Sequence, residues 1–226
     1  MCIETKYIYL KSHPLFSELE EVKLMEISTL AKVHTAYRSE TLSYGDGDYS
    51  KIYFVVKGKI KIAEANEMGE ELIKDILTEG DFFGDLSLRG NPPIDEYAEA
   101  LTANIIVCCF KVTDFRRILQ HNPMMALNYA NNVSGKLRKL EDRHADLVFR
   151  DAKARLIRFI KNWARMDGNR VGDKIVLNNY LTHSDIAGFI STSRQSVNVL
   201  LNELRDSGML FYNRKKIELN NPHVWN

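Results

Sequence analysis

The sequence predicts an α+β chain in three parts: an N-terminal antiparallel β jelly roll, a long helix, and a C-terminal winged helix-turn-helix. Three observations predict it. Between Tyr37 and Lys111, short runs rich in Val, Ile, Tyr and Phe alternate with Gly and Asp turns, as in an antiparallel sandwich or barrel. From about Met124 to His144 the apolar spacing switches to threes and fours, the period of a helix. Then Leu181–Leu210 reads as two amphipathic helices about a tight turn, followed through Leu219 by a strand, a basic turn and a strand.

The elements follow in order. His13–Ala36 carries Leu19, Val22, Leu24, Met25, Ile27 and Leu30 at helical spacing, which predicts one or two short helices. The runs ETLSYGDGD, KIYFVVKGKIKIAEA, ELIKDILTEGDFFGDLSL and EYAEALTANIIVCCF supply the strands. Gly58 between Phe54–Val56 and Ile60–Ile62, and the hairpin signal Asn66–Gly69, fit a meander. Asp114–His121 forms a short helix that Asn122–Pro123 ends. The long helix bears the stripe Leu127, Ala130, Val133 or Ser134, Leu137 and Leu140, near the 3.5-residue repeat of a two-helix seam. A core-facing helix would show a similar stripe. Its length, narrow stripe and place between two domains favour a dimer interface. Domain limits are set at 1–122, 123–146 (long helix and hinge) and 147–226.

In the C-terminal pair, Ile186, Ala187 and Ile190 belong to one apolar face and Val197, Leu200, Leu201 and Leu204 to the other. Thr182 and Asp185 form a capping pattern, and Ser193 can cap a helix beginning at Arg194. Arg194, Gln195, Asn198 and Asn202 are left pointing outward. Arginine and amide side chains match the paired donors and acceptors of guanine and adenine edges. That pattern points to double-stranded DNA.

Composition agrees. At 226 residues and 45% apolar content the chain can bury two cores. The net charge of +1 is unevenly spread: from Leu147 onward thirteen Lys and Arg face seven Asp and Glu, a net +6, while the remainder carries −5. Phosphate binding needs a basic face locally, and the charge sits with the helix-turn-helix. No apolar run is long enough to cross a bilayer. A start without signal-peptide features, and cysteines in no even framework, lead to the expectation of a cytoplasmic protein.

Taken in order, KIYFVVKGKIKI, GDFFGDLSL at 80–88, NPMMALNYANNVSGKL and SRQSVNVLLNEL resemble the cyclic-AMP receptor protein / FNR superfamily of bacterial transcription regulators, over roughly Leu15 to Leu219. The resemblance implies a cyclic-nucleotide-binding-like roll, a dimerisation helix, a winged helix-turn-helix, and RNA polymerase as a partner. It places the effector pocket at Gly84, Asp85, Leu86 and Ser87, at Ile94 or Asp95, and at Leu140 and Glu141. In cyclic-AMP-binding relatives a Glu accepts from the ribose and an Arg pairs with the cyclic phosphate. Here Asp85 replaces the Glu, and the Arg slot falls on Ile94 or Asp95. Arg89 is the only arginine in 75–115 and lies too near Gly84 to serve. A Thr-Ser adenine contact becomes Leu140–Glu141. No cofactor is expected and cyclic AMP is disfavoured; a cyclic-nucleotide-activated regulator with a non-standard pocket stays open as the alternative.

The same resemblance assigns base-reading positions to Arg194, Gln195 and Val199, and the outward amide of Asn198 joins them. Arg194 falls on the family's guanine-reading arginine. Gln195 replaces a Glu, allowing adenine, and Val199 replaces a second arginine, leaving an apolar contact such as a thymine methyl. His183, Ser193 and Ser196 fall at phosphate-contacting positions, and Arg214, Lys215 and Lys216 in the wing add phosphate charge. Ser191 stands where the turn usually has Gly. If that turn needs a positive φ, serine is strained there.

Other sensor chemistries fail on residue type. An iron–sulfur cluster needs about four cysteine ligands, and the chain has three cysteines, two adjacent. For haem, His13 and His34 are the candidates, and satisfied core or surface histidines are the better reading of both. Cys108 and Cys109 sit in the apolar run IIVCCF and read as inert buried thiols. A cupin-like enzyme needs clustered His ligands on its strands, yet none of the six histidines falls between Tyr37 and Gln120. The expectation is a non-enzymatic, homodimeric regulator.

Overall fold

The computed structural model describes residues 2–42, 50–90 and 96–225. The chain divides into two units, Met1–Lys139 and Leu140–Asn226.

In the first unit, α1 (Ile3–Lys11) and α2 (Glu21–Leu30) precede β1 (Lys32–Ala36), β2 (Thr41–Leu42), β3 (Lys51–Lys57), β4 (Ile60–Ala65), β5 (Glu71–Leu77), β6 (Phe82–Gly84), β7 (Glu96–Ala100) and β8 (Ile105–Lys111). The strands form two four-stranded sheets of order β1-β8-β3-β6 and β2-β7-β4-β5. All their pairings are antiparallel. Then come α3 (Val112–His121) and α4 (Pro123–Phe149).

Strand alternation explains the layers. Tyr53 and Val55 of β3, with Val107 and Cys109 of β8, pack between the sheets against Ile60, Ile62 and Ala98. Ile52, Phe54, Cys108 and Phe110 point the other way, under α1, α2, α3 and the start of α4. A sheet buried on both faces requires continuous apolar runs, hence IYFVV and IIVCCF. Gly58 turns β3 into β4 at φ +90°, where a Cβ would collide with Ile105 and Thr102. The Asn66–Gly69 hairpin also forms, closed by Asn66 N donating to Glu70 O (3.0 Å).

His13 is a fully satisfied core histidine. Its Nδ1 accepts from Leu15 N (3.2 Å), so Nε2 donates to Asp81 O (3.2 Å), and its ring meets Phe54 edge-on at 5.2 Å. Cys108 and Cys109 are buried on opposite faces of β8, and burial pushes their thiols up to about 12 and about 11.

The helical reading of His13–Ala36 holds only for Glu21–Leu30; Lys32–Ala36 is a strand paired with β8. Ala31, at φ −70° and ψ 141°, ends the helix, and the β-branched Val33 and Thr35 suit the ladder. Val22 and Leu30 are exposed.

The second unit contains the end of α4, then α5 (Ala152–Asp167), β9 (Asn169–Val171), β10 (Lys174–Asn178), α6 (His183–Ile190), α7 (Arg194–Asp206), β11 (Leu210–Tyr212), β12 (Lys216–Asn220) and α8 (Pro222–Trp225). Its sheet runs β11-β12-β10-β9. The sequence reading supplied α6, α7 and the β11–β12 wing but not α5, β9 or β10. The signal for α5 was present: Leu156, Phe159, Ile160, Trp163 and Ala164 recur at helical spacing and are buried, and Asp151 caps the helix by accepting from Ala154 N (2.7 Å). Among the described residues, no helix is long and apolar enough to cross a membrane.

Candidate nucleic-acid interface and sensor site

The helix-turn-helix is set by its caps. Thr182 and Asp185 form a reciprocal capping box on α6: Asp185 N donates to Thr182 Oγ1 (3.1 Å) and Thr182 N to Asp185 Oδ2 (2.7 Å). Ser191 closes α6 in the left-handed region, φ 55° and ψ 61°. Ser193 then caps α7, accepting from Ser196 N (3.0 Å). Two arginines that the sequence reading passed over hold this turn from behind. Arg155 of α5 donates to Ile190 O (2.9 Å) and Ser191 O (3.2 Å). Arg143 of α4 donates to Phe189 O (2.5 Å) and lies over the Phe189 ring at 4.3 Å. Each satisfies carbonyls that the end of α6 leaves unpaired.

Burial sorts the faces of α7. Val197, Leu201 and Leu204 are buried, while Arg194, Gln195, Asn198 and Val199 are exposed, Val199 at 55%. Asn202 departs from its outward reading: it is half-buried, and its Oδ1 accepts from Tyr212 Oη of the wing (3.1 Å). The ring of Tyr212 also lies 5.7 Å from His183, so one tyrosine joins α7, the wing and the start of α6. Burial, and then the Arg194 charge, lower the His183 pKa. The Ser193 and Ser196 hydroxyls are 2.9 Å apart.

The wing turn is built on Asn213, whose Oδ1 accepts from Lys215 N (2.8 Å) and Lys216 N (2.9 Å). Arg214, Lys215 and Lys216 are all exposed. They are not equivalent, because Lys216 pairs with Glu218. Lys174 binds the same carboxylate at 3.0 Å.

In the first unit, Gly84 is required by φ +101°, where a Cβ would collide with Lys51 O. Asp85 is only 2% exposed. Its carboxylate accepts from Ser50 Oγ (2.9 Å), Ser87 Oγ (2.6 Å), Ser87 N (3.1 Å) and Gly90 N (2.7 Å). Burial opposes its ionisation, but these donors outweigh it and hold the carboxyl below its usual range. Its carboxylate joins the loop at Ser87 and Gly90 to Ser50, just before β3. Leu86 O is likewise taken, by Tyr129 Oη at 2.6 Å, whereas Ser87 is exposed. Ile94 and Asp95 lie outside the described residues.

A cluster missed in the sequence lies on the other sheet of the roll, β2-β7-β4-β5. The β4–β7 register pairs Ile60 with Ala100, Ile62 with Ala98 and Glu64 with Glu96, so two carboxylates continue the inter-sheet face. A bulge in β5 brings Lys74 between them, 2.6 Å from Glu64 and 3.1 Å from Glu96. Burial disfavours the charge of Lys74, yet the two carboxylates raise its pKa. Beside it, Asp75 pairs with Lys136 of α4 at 3.1 Å. Only the register shift at the bulge turns Lys74 toward Glu64, which alternation alone does not foresee.

On α4, Leu127, Ala130, Ser134, Leu137 and Leu140 are exposed, the three leucines at 54%, 57% and 61%. Glu141 is exposed as well. Val133 is half-buried against the core of the first unit, so of the pair Val133 or Ser134 the exposed stripe takes Ser134.

A two-sheet roll followed on one chain by a long helix and a capped winged helix-turn-helix defines a DNA-binding regulator with its own sensor-type domain. The chain belongs to the CRP/FNR family of transcription regulators. Residues 35–122 match the cyclic nucleotide-binding domain family and residues 154–224 the Crp-like helix-turn-helix domain family. The chain is 28% identical to the global nitrogen regulator of Nostoc sp. over 84% of this chain and 86% of that one. It is 25% identical to the cAMP-activated global transcriptional regulator CRP of Salmonella typhimurium, over 82% and 88%. In fold it resembles a CooA variant from Carboxydothermus hydrogenoformans, with a TM-score of 0.74, 23% identity, and coverage of 92% and 89%. These relatives are regulators, not enzymes.

Proposed function

We propose that the chain works in the cytoplasm as a homodimer on a two-fold-symmetric DNA site, with half-sites about one helical turn apart. Arg194 reads guanine, Gln195 and Asn198 present amides to adenine, and Val199 offers an apolar surface to a thymine methyl. His183, Ser193, Ser196, Arg214 and Lys215 hold phosphates, with Lys216 contributing less because Glu218 shares its charge. The exposed Leu137 and Leu140 of α4 supply the dimer seam, and RNA polymerase is the further partner the family implies.

The sensor roll, in this reading, does not answer to cyclic AMP. The observation that carries this is the pair Glu64 and Glu96 around Lys74, with Asp85 committed to its own loop. A cyclic phosphate needs an uncommitted cation, and the lysine here already has two carboxylates. Thermal melting of the purified protein with and without cyclic AMP tests it. A ligand at about 100 times its Kd adds about 2.7 kcal/mol, roughly 5–10 °C for a chain of this size. No shift is expected; a shift of that order would favour the alternative, a cyclic-nucleotide-activated regulator with a non-standard pocket.

A further inference from the structure

We propose that His144 is a core residue of the seam between two copies of α4 and makes that seam sensitive to protonation. The inference rests on the dimer reading above. Leu137, Leu140 and Leu147 are exposed. Each step between them is three or seven residues, the a and d positions of a heptad. His144 falls seven past Leu137, four past Leu140 and three before Leu147, in the middle of the same stripe. It too is exposed on the single chain. No other side chain on that stripe between Leu137 and Leu147 can change its charge near neutral pH.

A two-fold axis along α4 sets equal heptad positions opposite one another, so His144 meets the partner subunit's His144. Two neutral imidazoles pack and can share one N–H···N hydrogen bond. Two imidazolium ions in a leucine-lined layer repel and lose hydration. The other charged groups nearby are largely occupied elsewhere. Asp142 and Asp146 pair with Arg158 of α5, at 4.0 and 3.0 Å. Arg143 turns to Phe189 of α6. Glu141, one turn earlier on α4, flanks the seam.

The test is the dimer dissociation constant of the full-length protein by analytical ultracentrifugation at about pH 7.5 and about pH 5.8, with circular dichroism confirming the fold at both. For the unaltered protein the constant should rise about tenfold or more at the lower pH. His144→Leu should give a dimer at least as tight at pH 7.5 and no longer responsive to pH. Because His144 is exposed on the single chain, that change leaves each folded chain intact. The same pH response in His144→Leu, or a wild-type dimer indifferent to pH, overturns the proposal. A wild-type monomer at pH 7.5 at micromolar concentration would instead overturn the dimer reading on which it rests.

Discussion

At the scale of single residues, the proposed base readers and phosphate holders separate by what each can do. Arg194 is exposed at the first turn of α7 with its guanidinium available to a bidentate partner, whereas Lys215 sits at the tip of a wing turn. Arg194→Ala should cost about 1–3 kcal/mol on the preferred site and relax preference at one base pair. Lys215→Ala should weaken all sequences alike and lower the salt slope by about one. Competition binding over a salt series distinguishes the two, and identical behaviour of both variants would contradict the assignment. His13 gives a pH prediction of known sign. Burial lowers its pKa below the ordinary imidazole value, so as the pH falls the unfolded chain takes up the proton first. Its contribution to stability is complete above about pH 6.5 and is lost as the pH drops through the folded value. His13→Gln should flatten the pH dependence of urea midpoints in this window, while lowering stability throughout. These residue roles were unequally legible. The exposed faces of α7 follow from 3.6-residue periodicity alone, but Asn202 shares that periodicity and is withdrawn by Tyr212, a contact across ten residues and two elements.

At the scale of elements, caps and turns carry the local fold. The capping box at Thr182 and Asp185 and the cap at Ser193 were readable because each is a short-range pattern of fixed spacing. The positive φ at Ser191 was legible only through the glycine usual at that turn in the family the chain resembles, and it is costly for a residue with a Cβ. Ser191→Gly should therefore stabilise the protein by about 0.5–1 kcal/mol, seen as a higher urea midpoint with unchanged slope. A loss of stability would mean that the serine is preferred in that conformation. Elements that depend on distant partners were less legible. The strand Lys32–Ala36 has too few residues to declare its period and is fixed by pairing with β8, over seventy positions away. The charged cluster at Lys74 depends on a bulge, and a bulge reverses which face a side chain takes without altering composition. Arg155 and Arg143 carry no short-range signal, because their targets, the carbonyls at the end of α6, exist only once the turn is folded.

At the scale of the whole molecule, the order of roll, long helix and winged helix-turn-helix was visible because each part has its own pattern: short Val-, Ile-, Tyr- and Phe-rich runs between Gly and Asp turns in the roll, a repeat of 3.5 to 3.6 in α4, and paired short helices at the end. The partition of charge was visible as well, with the excess of Lys and Arg beyond Leu147 lying in the unit that holds α7 and the wing. What composition does not convey is whether a roll of this family still takes its ligand, because that turns on a few side chains and on which of them are already paired. The proposal that belongs to this scale is recognition of a symmetric DNA site without cyclic AMP. Selection of random duplex DNA by the purified protein, run in parallel with and without cyclic AMP, tests it most directly. The same two-fold-symmetric site should emerge in both arms, and Arg194→Ala should relax it at the base pair that Arg194 reads. A site that emerges only with cyclic AMP would contradict the reading of Lys74, Glu64, Glu96 and Asp85, and a site that survives Arg194→Ala unchanged would contradict the assignment of α7.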